Sequence, residues 1–186
     1  MLREETKDCH LGLEKSLDLV RNVTTHDAYR ALLIRFFTIY EPLENAMGKS
    51  IDWDLVGWEF SAHLKAPWLQ EDLLALGVAA TEIVEWPRCE TVNMPDTFGA
   101  AIGCLYVVEG ATLGGQMLAK QFRDTLGVTP ERGGRFFQGY GSATMPSWRA
   151  FGSWADSQAA LYNTELKEQA VRGARNTFNA FAQWLT

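Results

Sequence analysis

Apolar residues recur along this chain at steps of three and four, in long proline-free segments separated by short breaks. That is the period of a helix with one buried face. Leu2, Thr6, Cys9, Leu13, Leu17 and Val20 follow the step and predict a first helix over residues 2 to 21. Thr24 or Thr25 can cap a second helix through YRALLIRFFTIYEPLENAM, since a threonine hydroxyl accepts from a free first-turn amide. Pro42 within that run predicts a kink or a break, because proline has no N–H to donate. A short helix is expected at about 52 to 63 and another at 67 to 76, closed by Gly77. EWPRCETVNMPD reads as a connection, with Asp96 a capping candidate for a long helix from about 97 to 126 that stops at Gly127. Glycines and prolines between 129 and 147 predict an irregular loop, and helix returns at about 148 to 163 and 164 to 185. Alternating strand patterns are almost absent. The expectation is an all-α chain of around seven or eight helices, forming a single domain over residues 1–186.

At 186 residues, 47% hydrophobic and 22% charged, the chain can bury a full core and is not a disordered polymer. Its net charge of -6 comes without a basic stripe, which argues against nucleic acid but leaves room for a local basic patch around an anionic ligand. Cys9, Cys89 and Cys104 are widely spaced and odd in number, so neither a disulfide framework nor a CxxC metal site is expected. A reducing, cytoplasmic setting fits best. The charged start MLREETKDCH lacks a signal-peptide core, and no run approaches 18 uninterrupted apolar residues, so no membrane span is expected.

Two features exceed what a plain helical bundle needs. Arg3, Lys7, His10 and Glu14 are spaced to share one face of the opening helix. A neutral imidazole can ligate iron, and a carboxylate one turn on can accept from its other nitrogen. Two cations on that face can pair with carboxylates of an anionic macrocycle. The same spacing also suits an ordinary solvated face. The second feature is LYVVEGATLGGQ in the long helix, where Gly110, Gly114 and Gly115 follow Gly99 and Gly103. Each interior glycine costs about 1 kcal/mol relative to alanine, so the cluster serves either close helix packing or a flat ligand laid on bare main chain. Gly110 and Gly114 are four apart and open a side-chain-free strip with a kink expected near it. A glycine strip facing a histidine helix would sandwich a planar ring.

At these residues the chain resembles the haem oxygenases. LREETKDCHLGLE is similar to their opening histidine helix, and GATLGGQ to their glycine-rich distal helix. LYVVEGATLGGQ with the later RFFQGYG resembles the bacterial branch often paired with bacteriophytochromes. YRALLIRFFTIYEPLE and WLQEDLLALG extend the likeness over essentially the whole chain. The resemblance implies haem held between the first helix and the kinked glycine-rich helix, with His10 as iron ligand and Glu14 as its hydrogen-bond partner. It implies Arg3, Lys7 and Arg149 (in SWRAF) near the propionates, Gly110, Gly114 and Gly115 along the ring, and Tyr40 and Thr112 beside distal water. Ala111 departs from the mammalian-type motif, which has an aspartate there, and leaves water to be held by main-chain carbonyls near Gly110, by Thr112 or by Tyr40.

Haem would then be substrate and cofactor, opened with O2 to biliverdin, iron and carbon monoxide. No nicotinamide or flavin motif is present, because the glycines lie within a helix rather than between strand and helix. Electrons would come from an external donor such as a ferredoxin or reductase, and a bilin-accepting phytochrome is a possible recipient. His26 and His63 read as surface residues. Phe136, Phe137 and Tyr140 are expected against the last helices, and Phe178 and Phe181 along the distal pocket. A non-catalytic haem carrier or sensor on the same fold remains open because of Ala111. A di-iron oxidase or thiaminase-like enzyme fits less well, as neither His26 nor His63 follows a glutamate by three.

Overall fold

The structure, a computed structural model, describes residues 1–90, 95–161 and 164–186. Residues 91 to 94 of the expected connection, and 162 and 163 at the end of the expected helix from 148, lie outside the described residues. The α-helices are α1 (Leu2–Glu5), α2 (Lys7–Leu17), α3 (Leu19–Asn22), α4 (His26–Ser50), α5 (Ala66–Ala75), α6 (Ala80–Glu85), α7 (Phe98–Leu126), α8 (Arg135–Gln138), α9 (Thr144–Leu161) and α10 (Thr164–Leu185). Single 3-10 turns lie at Phe60–His63, Pro130–Arg132 and Gly141–Ala143, and no strand occurs among the described residues. The all-α expectation holds.

The opening helix is in three pieces rather than one. Thr6 turns its hydroxyl back to the Leu2 carbonyl at 2.8 Å and leaves helical geometry at φ -123, ψ 5. Asp18, at φ 34, is left-handed and separates α2 from α3. Arg3 therefore sits on α1, while Lys7, His10 and Glu14 stay together on α2, and the single face expected from Arg3 to Glu14 is split at Thr6.

Thr25 caps α4, accepting from the Ala28 amide at 3.1 Å. Helix α4 then runs on through Pro42 without a break. Pro42 has no N–H for the Thr38 carbonyl, and the Cys89 amide takes that place at 2.8 Å. The segment expected as a helix over 52 to 63 instead turns at Gly57 (φ 69) and folds back. There the Trp53 ring stacks on Phe60 at 4.9 Å and its indole donates to the Met47 carbonyl at 3.0 Å. Thr97, not Asp96, caps α7 by accepting from Ala100 at 3.2 Å. The expected loop from 129 to 147 contains α8 and two turns, and α9 starts at Thr144 because Pro146 is tolerated in a first turn.

Helix α7 is long and apolar enough by length and composition to cross a bilayer, yet 67% of its apolar window is buried inside the fold. It is the helix the others pack around. Its N-terminal half lies directly on α10: a Cβ at Gly99 would fall 2.6 Å from Gln169 Cβ, and one at Gly103 even closer to the Ala170 carbonyl. From the other side, a Cβ at Gly173 would strike the Ala100 main chain. Two of the five α7 glycines thus serve packing against α10.

Gly103→Ala should lower stability by about 3 kcal/mol through overpacking. Gly114→Ala, with nothing within 4 Å of the added carbon, should be neutral or gain up to about 1 kcal/mol from helix propensity. Urea midpoints of the two variants check this, and equal losses would contradict the packing account.

Candidate functional site

Helix α2 is fastened to α10 and α7 from the sequence upward. Asp8 in its first turn accepts from Arg175 of α10 at 2.9 and 2.7 Å, which holds the Asp8 carboxyl below the usual range. Cys9 and Leu13 pack on the cluster of Val107, Ala174 and Phe178 between α7 and α10. His10 is the residue this docking presents. Its ring stands edge-on to Phe178 at 5.8 Å, and its side chain remains 55% exposed. Glu14 places a carboxylate oxygen 3.7 Å from Nε2, close enough to orient the imidazole after a small rotation. Phe178, expected along the distal pocket, is in fact the floor beneath His10.

One turn beyond Val107 the character of α7 changes. A Cβ on Gly110 would meet only the Trp148 ring at 3.6 and 3.7 Å, and one on Gly114 nothing within 4 Å. Ala111, Gly114 and Met117 form an exposed row on this side. Gly115 faces the other way, against the Phe137 carbonyl at 3.1 Å from its would-be Cβ. Thr112 is buried, with its hydroxyl donating to the Glu109 carbonyl at 2.6 Å. Trp148 of α9 borders the strip, and Arg149 next to it in sequence is exposed. Large apolar side chains are left in water on both helices, Leu11 beside His10 at 53% exposure and Met117 at 70%. Arg3 and Lys7 are exposed on α1 and α2.

Tyr40 lies in the core at 1% exposure, edge-on to Phe136 at 5.3 Å and Phe181 at 5.2 Å. Burial, with the Glu44 and Glu109 carboxylates nearby, drives its phenol well above the usual range. Phe136 and Phe137 pack chiefly on Tyr29, Phe36 and Tyr40 of α4 and on Phe122 of α7, rather than on the last helices. His26 is exposed at the start of α4, as expected. His63 is not a surface residue: only 17% of its side chain is exposed, and its Nδ1 lies 2.9 Å from the Tyr140 hydroxyl. A cavity of about 260 Å³ between α4, α7 and α10 is lined by Ile39, Cys104 and Thr177 among others, and neither His10 nor the Gly110 strip borders it. Helix α2 seats next to Val107, one turn before Gly110, and the open side of α7 is taken as the candidate site.

Sequence reasoning missed the buried charges. Glu44 accepts from the Lys65 and Ala66 amides at 2.6 and 3.0 Å, and Lys65 and Glu109 pair in the interior. A lone carboxylate in the apolar run of α7 was the one available signal.

The profile of the protein family described as "Heme oxygenase" matches residues 1–186. No curated protein matches the sequence. Among solved structures, the NO- and CO-bound heme oxygenase of Neisseria meningitidis is 22% identical with a TM-score of 0.81, over 99% of this chain and 87% of that one. Heme oxygenase 2 of Chlamydomonas reinhardtii, solved without heme, is 15% identical with a TM-score of 0.78, over 99% of this chain and 94% of that one. These likenesses show the fold.

The buried carboxylates set a pH dependence. Burial pushes Glu44 up to about 7 and Asp72 up to about 6, although each accepts two main-chain amides. The folded chain therefore keeps protons that the unfolded chain releases, and these groups make stability fall as pH rises from the ordinary carboxylate range toward 7. Replacing Glu44 by Gln should remove up to about 3 kcal/mol of that fall. Urea unfolding at both ends of the range checks it, and parallel pH profiles for variant and wild type would contradict it.

Proposed function

The chain belongs to the heme oxygenase family, enzymes that open haem, and on that premise we propose that His10 is the axial ligand and that the products are biliverdin, iron and carbon monoxide. One observation carries this reading: a half-exposed histidine on a helix docked one turn from Gly110 of α7, with Gly114 open beyond it. The residues present fit the group. The empty space at Gly114 leaves bare main chain for a flat ring, and Trp148, Leu11 and Met117 offer apolar surface around it.

Bound haem supplies both the iron that activates O2 and the ring that is cut. The chain's own residues do the rest. Glu14 accepts from the imidazole nitrogen that does not face iron, fixing the tautomer and raising the ring's basicity. Lys7 and Arg149, with Arg3 from α1, take the propionates. Gly110 and Gly114 let the ring approach the main chain, with Gly115 allowing α8 to close behind them. Ala111 brings no proton carrier, and the Thr112 hydroxyl is spent on the Glu109 carbonyl. Proton handling beside the strip then falls to main-chain carbonyls near Gly110 and the water they hold, while Tyr40 acts from the core as support. Electrons come from a separate donor such as a ferredoxin or reductase, and a phytochrome accepts the bilin. We place this chemistry in one domain working in the cytoplasm, where the three thiols stay reduced.

Haem titration followed by reduction in air tests the reading. The wild type should develop a Soret band and then biliverdin absorption. His10→Ala should lose the axially ligated spectrum, and Glu14→Gln should bind about tenfold more weakly. A wild-type spectrum in His10→Ala, or bound haem that survives repeated reduction, would overturn it.

A further inference from the structure

Glu109 is the only charged side chain between Phe98 and Ala119. It stands immediately before Gly110, and it is 1% exposed. Three donors close on its carboxylate from other parts of the chain. The Lys65 ammonium, also 1% exposed, bonds Oε1. The Tyr140 hydroxyl lies 3.1 and 3.2 Å from the two oxygens, and His63 Nδ1 lies 3.3 Å from Oε1. The donors also hold one another: Lys65 Nζ donates to the Tyr140 oxygen at 2.9 Å and to the His63 carbonyl at 2.5 Å. Glu44 of α4 fixes the Lys65 main chain in turn. The segment from His63 to Lys65 before α5 and the turn after α8 therefore meet α7 at one carboxylate, with α4 behind them through Glu44.

Stability does not explain this arrangement. Removing an ammonium and a carboxylate from water costs about as much as their attraction returns, and apolar residues of similar volume often do as well or better. What directed donors supply is geometry. Three of them converging on one carboxylate admit one rotation of α7 at residue 109, where apolar packing would tolerate a range. The need for such a restraint begins at the next residue. Gly110 and Gly114 have no side chains to interlock with neighbours, and an interior glycine leaves the helix more conformational freedom than any other residue. Thr112, between them, is hung from the Glu109 carbonyl.

We propose that Glu109 is a positioning residue for the ring-facing strip of α7: held by Lys65, Tyr140 and His63, it sets the rotation and height at which Gly110 and Gly114 meet the macrocycle. The proposal rests on the haem oxygenase reading for its ligand, but the restraint itself belongs to the protein without haem.

The test compares wild type, Glu109→Gln and Tyr140→Phe by amide hydrogen exchange without haem, and by turnover with it. In folded Glu109→Gln, exchange over residues 110 to 116 should accelerate about tenfold or more while α10 stays within about twofold. With haem, affinity and Soret band should match wild type, while turnover falls about tenfold or more and the bilin becomes a mixture of isomers. Unchanged exchange at 110 to 116, or an equal rise in α10, overturns the proposal, as does wild-type turnover with an unmixed product. Should Glu109→Gln fail to fold, Tyr140→Phe decides, since it removes one donor only. A local rise of about threefold supports the proposal and none overturns it. If wild-type protein binds no haem or leaves it intact, the functional reading falls, and the exchange comparison still decides whether Glu109 restrains α7.

Discussion

Helices α7 and α10 touch main chain to main chain, because Gly99 and Gly103 on one and Gly173 on the other leave no Cβ between them. Around that line the Thr177 hydroxyl lies 2.8 Å from the Gly173 carbonyl and 3.2 Å from Cys104 Sγ, so the polar groups of the seam are used locally. The contact fixes α7 at the centre of the fold, and the remaining helices take their places from it. Helix α2 seats Cys9 and Leu13 on the joint of the two helices at Val107, Ala174 and Phe178. Helix α4 reaches α10 through Thr38, which accepts from the Trp184 indole at 3.0 Å. A larger residue at Gly103 would move α7, and with it the seat of His10.

The same helix uses glycine for two ends. In its first half the missing side chains admit another helix, and beyond Val107 they leave a surface uncovered. Gly115, farther along, returns to the first use, since it admits the Phe137 main chain of α8. The uncovered stretch is held on its inner side by buried Thr112 and at its far end by Gln116, which donates to the Gly141 carbonyl and the Thr144 hydroxyl. The buried carboxylate of Glu109 holds α7 just before that stretch. Rigidity there comes from polar groups with fixed directions, at a position where apolar packing alone would permit sliding.

Much of the fold was legible in the chain, and the rest was hidden for physical reasons. Helical period found α4, α5, α7 and α10, while Thr25 and Gly127 marked two ends as their chemistry requires. The break at Thr6 was not visible, because threonine fits an apolar helical step and only its hydroxyl bond to Leu2 reveals the interruption. Pro42 predicted damage that a distant amide repairs, and nothing local announces Cys89 as the donor. Helix α6 is six residues long, too short to declare a period. For the site, spacing and resemblance nominate His10, Glu14 and the glycines. Lys65 and His63 were not, since a lone lysine or histidine reads as solvated until its partner is placed, and Glu109 is 44 residues from Lys65 in the chain.

The central claim is that a flat ring lies between His10 and the open side of α7, and paramagnetic broadening by ferric haem tests it directly. Amide spectra of the protein with and without haem should lose the signals of residues 9 to 11 and 110 to 114. Signals at Gly99, Gly103 and Gly173, at the α7–α10 contact about two turns or more along α7 from Gly110, should be broadened far less. Broadening centred instead on Ile39, Cys104 and Thr177, around the cavity between α4, α7 and α10, would contradict the account.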